Sequence, residues 1–132
     1  MAGTFNFALV TPERLLLSGE AEQVVVPGAE GDFAVLAGHA PAISTLRPGI
    51  LEITLTDGKR RVFVKKGIAE AEPDGLTVLA QTAVAVEDLD AAAIAAELTS
   101  AETELAEAKD DHAKMMAETL LDQLKRLQLK AA

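Results

Sequence analysis

The sequence of 132 residues contains no cysteine, tryptophan or tyrosine, and phenylalanine occurs only four times. Without cysteine the chain can form neither a disulfide bond nor a thiolate metal site. Positive charge is also scarce, because 12 lysines and arginines face 21 aspartates and glutamates, a net charge of −9. An acidic surface with few aromatic rings repels phosphate backbones and offers little to stack on bases. No apolar run approaches the ~20 residues of a transmembrane helix, so we expect neither nucleic-acid binding nor a membrane span.

Glycine and proline are missing from the last third of the chain. The last proline is Pro73, the last glycine is Gly75 and the last valine is Val86. Beyond them Ala, Leu, Glu, Lys and Gln predominate, which are residues that favour helix over strand. We therefore predict a β domain over residues 1–86 and a helical tail over residues 87–132.

Apolar and polar residues alternate in the first part. Phe5, Phe7 and Leu9 are separated by small or polar residues, which is the period of a half-buried strand. Pro73-Asp74-Gly75 is typical of a tight turn before the next apolar segment. Short strands with frequent turns and no helical pattern between them predict an antiparallel sandwich or barrel.

Apolar residues of the tail recur at steps of three and four, as on one face of a helix. Asp88 or Asp90 can cap the first helix, and Asp110 or Asp111 can cap a second one. These apolar stripes form either the seam of a helix pair or a groove for a partner. The stripe residues are Ile94, Leu98, Ala101, Leu105 and Ala108, followed by Met116, Leu120, Leu124 and Leu127.

A polar segment, Lys109, Asp110, Asp111 and His112, separates the two stripes. It contains no obligatory helix breaker, so the tail can fold back as a hairpin or continue as one helix of ~60 Å. We interpret these four residues as a tail hinge.

Residues that could carry chemistry are few. A Ser-His-Asp arrangement would have to use His39, because His112 lies on the helical tail. The run from Asp110 to His112 lacks further ligands at metal-binding spacing. Gly28-Ala29-Glu30-Gly31 lacks the Lys-Ser/Thr of a phosphate-binding loop. We predict no catalytic residue, no metal site and no cofactor.

One loop has an unusual shape, because Gly38 frees the backbone and Pro41 stiffens it on either side of His39. The segment around it, from Val26 to Pro41, resembles the epsilon subunit of bacterial F-type ATP synthases. Four later motifs extend the resemblance over essentially the whole chain. They are Pro48-Gly49, Gly67-Ile68-Ala69-Glu70, Thr77-Val78-Leu79-Ala80-Gln81-Thr82-Ala83 and Glu87-Asp88-Leu89-Asp90.

The resemblance implies an N-terminal β-sandwich of about ten strands followed by two antiparallel helices. It also implies a non-catalytic rotor subunit, which couples rotation of the membrane c-ring, through the gamma subunit, to ATP synthesis on other subunits. Four residues would face the polar loops of the c-ring: Glu30, Gly31, Asp32 and His39. The N-terminus lacks a transit-like segment, so we expect a peripheral location at the cytoplasmic face of the bacterial inner membrane.

In this family the tail lies folded or extends along gamma and hinders ATP hydrolysis. Here Lys125, Arg126 and Lys130 are the residues for contacts with the catalytic alpha and beta subunits. The tail has a net charge of −6, so we expect weak or absent inhibition. Leu89-Asp90 is not followed by the arginine of the family's ATP-binding motif, so we expect no ATP binding. The alternative function is a β-sandwich binding or adaptor module with a helical interaction tail.

Overall fold

The computed structural model describes the backbone of residues 3–131 and the side chains of residues 3–128. The chain divides into two compact units, Met1–Val86 and Glu87–Ala132. The described residues form seven strands and two α-helices, with a short 3-10 helix at Val86–Asp88. The elements are β1 (Phe5–Val10), β2 (Leu15–Gly28), β3 (Gly31–Leu36), β4 (Ala42–Thr45), β5 (Gly49–Leu55), β6 (Gly58–Glu72), β7 (Gly75–Ala85), α1 (Ala91–Glu107) and α2 (Asp111–Ala131).

The strands of the first unit form a ladder that closes on itself. β1 pairs with β2, β2 with β5, β5 with β6 and β6 with β7, all antiparallel. β7 then pairs with β1 in parallel. β3 adds to β2, and β4 adds to β6. The predicted sandwich followed by two helices is confirmed.

Two details of the predicted sandwich differ from the structure. Seven strands are present in the described residues instead of about ten, because two long strands, β2 and β6, each pair with three other strands along their length. β2, for example, pairs with β1 in its first half and with β3 and β5 in its second half. The sheet is also mixed. Four consecutive antiparallel pairings give β1 and β7 the same direction, so the pairing that closes the ring of five strands must be parallel.

The inward-facing residues of these strands form one core, and the alternation read from β1 holds, since Phe5, Phe7 and Leu9 are buried. Exclusion of these side chains from water is the main stabilising contribution, at about 25 cal/mol per Å² of buried apolar surface. The core consists of Phe5, Phe7, Leu9, Ala21, Val24, Val26, Val35, Leu46, Leu51, Ile53, Leu55, Val62, Val64, Ala69, Ala71, Leu76, Val78 and Ala80.

The tail forms two helices that pack on each other across a three-residue connection, Ala108 to Asp110. Such a short connection makes consecutive helices antiparallel neighbours. Asp90 caps α1 by accepting from the Ala93 backbone N–H at 2.7 Å, and Asp110 accepts from Ala113 N–H at 2.7 Å. Within the part of the chain that the structure describes, neither helix has an apolar stretch that could span a bilayer. The buried tail residues are Ile94, Leu98, Ala101, Ala117, Leu120, Leu121, Leu124 and Leu127.

Candidate functional site

The hairpin between β2 and β3 carries three of the residues predicted to face the c-ring. Gly28 pairs with Gly31, so Ala29 and Glu30 form a two-residue tip. Gly31 has a φ of +132°, a conformation that a residue with a Cβ rarely adopts. Glu30 is exposed, and no ion pair to it occurs among the described residues. The tip therefore presents one solvated carboxylate on a tightly defined turn.

Asp32, beside this tip, is paired with a buried cation. The Arg47 guanidinium donates from Nη2 to Asp32 Oδ1, and Arg47 is only 8% exposed. Two backbone hydrogen bonds also join the hairpin to the segment around Arg47. Arg47 N–H donates to Pro27 O at 3.0 Å, and Ala29 N–H donates to Thr45 O at 2.9 Å. The segment around Arg47 thus fixes one side of the hairpin.

His39 lies elsewhere. Its Nδ1 is 2.6 Å from Leu36 O and its Nε2 is 3.2 Å from Gly75 O, while its ring meets Phe5 edge-on with centroids 5.4 Å apart. β3 separates Leu36 from Gly31 by five steps of extended chain, roughly 16 Å at 3.3 Å per step. The structure therefore brings Glu30, Gly31 and Asp32 together and leaves His39 at the opposite end of β3, where it ties the loop after β3 to the β6–β7 turn.

The outward face of four neighbouring strands carries apolar side chains at one level. Val10 is paired with Leu15 on one side and Leu79 on the other, and Leu79 is paired with Ile68. Leu15 is 57% exposed and Leu79 is 39% exposed. We name these four residues the apolar row. Val10 and Ile68 are partly buried, so the exposed apolar surface of the row is mainly that of Leu15 and Leu79. An apolar patch on the surface of a folded domain is typical of a protein–protein contact.

An acidic groove of about 620 Å³ lies on the same face next to the apolar row, since Ala8, Glu70 and Thr77 of its lining are each two positions from a residue of the row. It is lined by Glu20, Glu70, Glu72 and Asp74, and it contains no histidine, lysine or arginine. The groove therefore lacks both a neutral base and a cation that could bind an anionic substrate. Among the described residues no group of three or more potential metal ligands occurs.

The predicted tail hinge falls partly in the connection and partly in α2. Lys109 and Asp110 lie between the helices, whereas Asp111 and His112 are in the first turn of α2. Only the three residues from Ala108 to Asp110 lie outside the helices, because Asp110 caps α2 and the helix begins at the next residue. All four predicted hinge residues are exposed.

The predicted tail contacts lie near the end of α2. Lys125 and Arg126 are exposed there, on the side away from the buried Leu124 and Leu127. The side chain of Lys130 lies outside the described residues.

Sequence reasoning missed Arg47 and the apolar row. Arg47 interrupts the apolar surroundings of Leu46 and Ile50, which is a signal for a buried charge, but its partner stands 15 positions earlier in the chain. The signal for the apolar row was weaker. Leu79 is an apolar residue at an outward position of an otherwise alternating strand, and only the pairing of four strands aligns it with Val10.

These surfaces define the class of protein: a docking protein, in which a closed sandwich with exposed contact surfaces is followed along the chain by a helical hairpin. The family described as ATP synthase, Delta/Epsilon chain, beta-sandwich domain matches residues 4–86. The chain is 51% identical over 128 residues to the ATP synthase epsilon chain of Parvibaculum lavamentivorans, covering 96% of this chain and 97% of that one. It is 46% identical over 129 residues to that of Mesorhizobium japonicum, covering 97% and 96%. The chain belongs to the ATP synthase epsilon chain family.

Solved structures agree in fold. A chain of the Euglena gracilis mitochondrial ATP synthase, in an OSCP/F1/c-ring structure, superposes with a TM-score of 0.71 at 23% identity, covering 98% of this chain and 82% of that one. A chain of the Tetrahymena thermophila central stalk and c-ring structure gives a TM-score of 0.61 at 11% identity, covering 96% and 98%. The predicted family is confirmed, and the chain is a non-catalytic stalk subunit of the rotor in the membrane-bound synthase.

Proposed function

We propose that this chain joins the gamma subunit to the c-ring at the cytoplasmic face of the bacterial inner membrane. In this role it passes rotation driven by proton flow towards the catalytic subunits. The observation that carries the proposal is that one closed sandwich presents two different exposed surfaces, the Glu30 hairpin and the apolar row. A subunit that transmits torque between two partners needs a contact surface for each of them on one rigid domain. A closed hydrogen-bonded sheet is such a domain.

The hairpin at Glu30 is the proposed c-ring contact. Its tip is exposed and charged, and its base is fixed by Arg47 and by backbone hydrogen bonds to the neighbouring segment. A polar tip is complementary to polar loops, because their contact does not require either protein to bury apolar surface. His39 contributes to this contact only indirectly, through the loop after β3.

The apolar row is the proposed gamma contact. Leu15 and Leu79 are large apolar side chains held in water by paired strands, and the four acids of the nearby groove give the same face a negative potential. The complementary surface is an apolar strip flanked by lysine or arginine, and we assign it to gamma. Burial of the row on association would contribute at about 25 cal/mol per Å² before the costs of binding.

The helical unit is proposed to be regulatory, with the hinge at Lys109, Asp110, Asp111 and His112. The connection of three residues is the one place between Ala91 and Ala131 where the described backbone leaves the helix. Lys125, Arg126 and Lys130 are proposed to contact the catalytic alpha and beta subunits when the tail extends. The net charge of −6 keeps that attraction weak.

Co-elution with the gamma subunit of the same synthase tests the proposed function. We expect the full chain to elute one-to-one with gamma on a sizing column at micromolar concentration, and Leu79→Lys to abolish this association. Leu36→Lys is the matched control, because Leu36 is 53% exposed and lies outside the apolar row. Absence of association by the unmodified chain would overturn the proposal and favour an adaptor module with another partner.

A further inference from the structure

An open depression of about 390 Å³ lies at one side of the apolar row. Val10 and Leu79 of the row form part of its wall, so the row and the depression are one continuous apolar surface. Among the described residues of its lining, Lys66 is the one that carries a charge, and we name the depression the Lys66 pocket. The remaining lining residues are Thr11, Pro12, Gly67, Ala80 and Gln81.

The pocket lies where β6 bends. The core residues of β6 are Val62 and Val64 before this point and Ala69 and Ala71 after it, so the inward side changes from even to odd positions. Lys66 lies at the change, with a φ of +52°, while the pairing of β6 with β7 keeps its register. Strands bend in this way where they pass from one layer of a sandwich to the other. The backbone itself therefore shapes the pocket.

Three neighbouring strands carry the same order of surfaces along one face. On β6, Glu70 lines the acidic groove, Ile68 belongs to the apolar row and Lys66 lines the pocket. Such residues are two positions apart, about 7 Å along a strand. The face therefore changes from negative through apolar to positive. The other strands follow the same order, with Ala8, Val10 and Pro12 at the end of β1 and Thr77, Leu79 and Gln81 on β7.

The chemistry of the pocket is that of an anchor site for a protein side chain. Lys66 is exposed and makes no ion pair among the described residues, so its ammonium group is available to a partner. A small-molecule site needs several convergent polar groups to orient its ligand, whereas these walls are mostly apolar. An apolar pocket beside one cation is complementary to an apolar side chain that has a carboxylate next to it.

We propose that the Lys66 pocket determines the specificity and direction of the gamma contact. It takes one large apolar side chain of gamma, and Lys66 pairs with an aspartate or glutamate beside that side chain. This inference rests on the proposed function. Because the acidic groove lies on the other side of the row, the docking segment of gamma carries lysine or arginine at the groove and its carboxylate at the pocket. A segment docked in reverse would bring like charges together on both sides.

A variant that fills the pocket tests the anchor. Calorimetric titration of the full chain with purified gamma measures the dissociation constant. We expect Gln81→Trp to raise it at least about tenfold, because the indole would occupy the space that the gamma side chain enters. Thr82→Trp is the matched control, since Thr82 is exposed and lies outside the pocket lining. It should change the constant by less than about twofold, as substitutions beside a hot spot do. Unchanged circular dichroism spectra confirm that both variants fold.

Variants of Lys66 test the charge. Lys66→Asn removes it with a residue that accepts a positive φ, and Lys66→Arg keeps it. Lys59→Asn is the charge-matched control, because Lys59 is exposed and lies outside the row, the groove and the pocket. Relative to this control we expect Lys66→Asn to raise the dissociation constant about threefold, the upper range for an exposed ion pair. Lys66→Arg should stay close to the unmodified chain.

A carbodiimide, which joins an amine to a carboxylate in contact with it, gives an independent readout. In the unmodified complex we expect an amide between Lys66 and an aspartate or glutamate of gamma, located by mass spectrometry of the cross-linked peptides. This measurement does not depend on the folding of any variant. An amide from Lys59 to gamma without one from Lys66 would overturn the proposed direction.

The outcomes separate the inference from the function on which it rests. Weaker binding in Gln81→Trp and Lys66→Asn, with both controls unchanged and the Lys66 amide present, supports it. Unchanged binding in these two variants, in a chain that loses gamma with Leu79→Lys, overturns the pocket and leaves the gamma contact in place. Equal losses in Gln81→Trp and Thr82→Trp overturn the anchor. Absence of binding by the unmodified chain overturns the proposed gamma contact itself.

Discussion

Gly67 of β6 lies against the carbonyl oxygen of Leu79 in β7 so closely that a Cβ on Gly67 would be 1.9 Å from that oxygen. The preceding residue, Lys66, has a φ of +52°, which is uncommon for a residue with a side chain. The strands keep their register through this point, since Lys65 pairs with Thr82 and Gly67 with Ala80. A backbone irregularity in β6 is therefore accommodated by close contact rather than by an inserted residue.

We expect Gly67→Ala to destabilise the sandwich by at least about 2 kcal/mol, because the clash is with backbone and relief requires β6 and β7 to separate. Urea unfolding followed by circular dichroism measures the change. Gly19→Ala is the matched control, since its Cβ would meet only a leucine methyl group at 3.7 Å. It should change stability by less than about 1 kcal/mol. Similar stabilities of the two variants would contradict the close approach.

Replacement of His39 should loosen the loop after β3. Its two ring nitrogens face Leu36 O and Gly75 O, and Gly75 stands 36 positions later in the chain. We expect His39→Ala to cost about 1–2 kcal/mol, because the loss includes a hydrogen bond and the contact with Phe5. His39→Gln should recover part of this, since its amide can donate to one carbonyl. Thermal midpoints identical to the unmodified chain would argue against a tether.

The Asp110 cap of α2 should stabilise the helical hairpin of the tail. Asp110→Ala removes the acceptor for Ala113 N–H and is expected to cost the helical unit about 0.5–2 kcal/mol, whereas Asp110→Asn should cost little because asparagine is an equally good cap. Hydrogen exchange of the Ala113 amide reports this directly. Equal exchange rates in the alanine and asparagine variants would show that the cap does not stabilise α2.

Deletion of residues 87–132 tests how strongly the tail inhibits ATP hydrolysis. The first unit has its own core, so the truncated chain should fold. We expect ATP hydrolysis by the complete synthase to change by less than about twofold, because a tail of net charge −6 has little positive charge for the proposed contacts of Lys125, Arg126 and Lys130. A large rise in hydrolysis would establish inhibition by the tail.

Local properties of the sequence predicted much of this protein. The alternation of Phe5, Phe7 and Leu9 predicted the inward face of β1, and the change of composition after Val86 predicted where the helical tail begins. The apolar steps of the tail follow equally from residues three or four positions apart. The sequence offered two candidate caps for each helix, and the structure selects Asp90 and Asp110. Such features depend on backbone geometry within one or two turns, which the residues themselves determine.

Only the tertiary structure decided which distant residues meet. The parallel pairing of β1 with β7 follows from closure of a five-strand ring, a property of the whole ladder rather than of either strand. Arg47 reaches Asp32, and His39 reaches Gly75, because loops bring together residues 15 and 36 positions apart. No periodicity encodes these pairs. The separation of Glu30 from His39, and the pairing of Asp32 with Arg47, therefore became visible only once the strands were assembled.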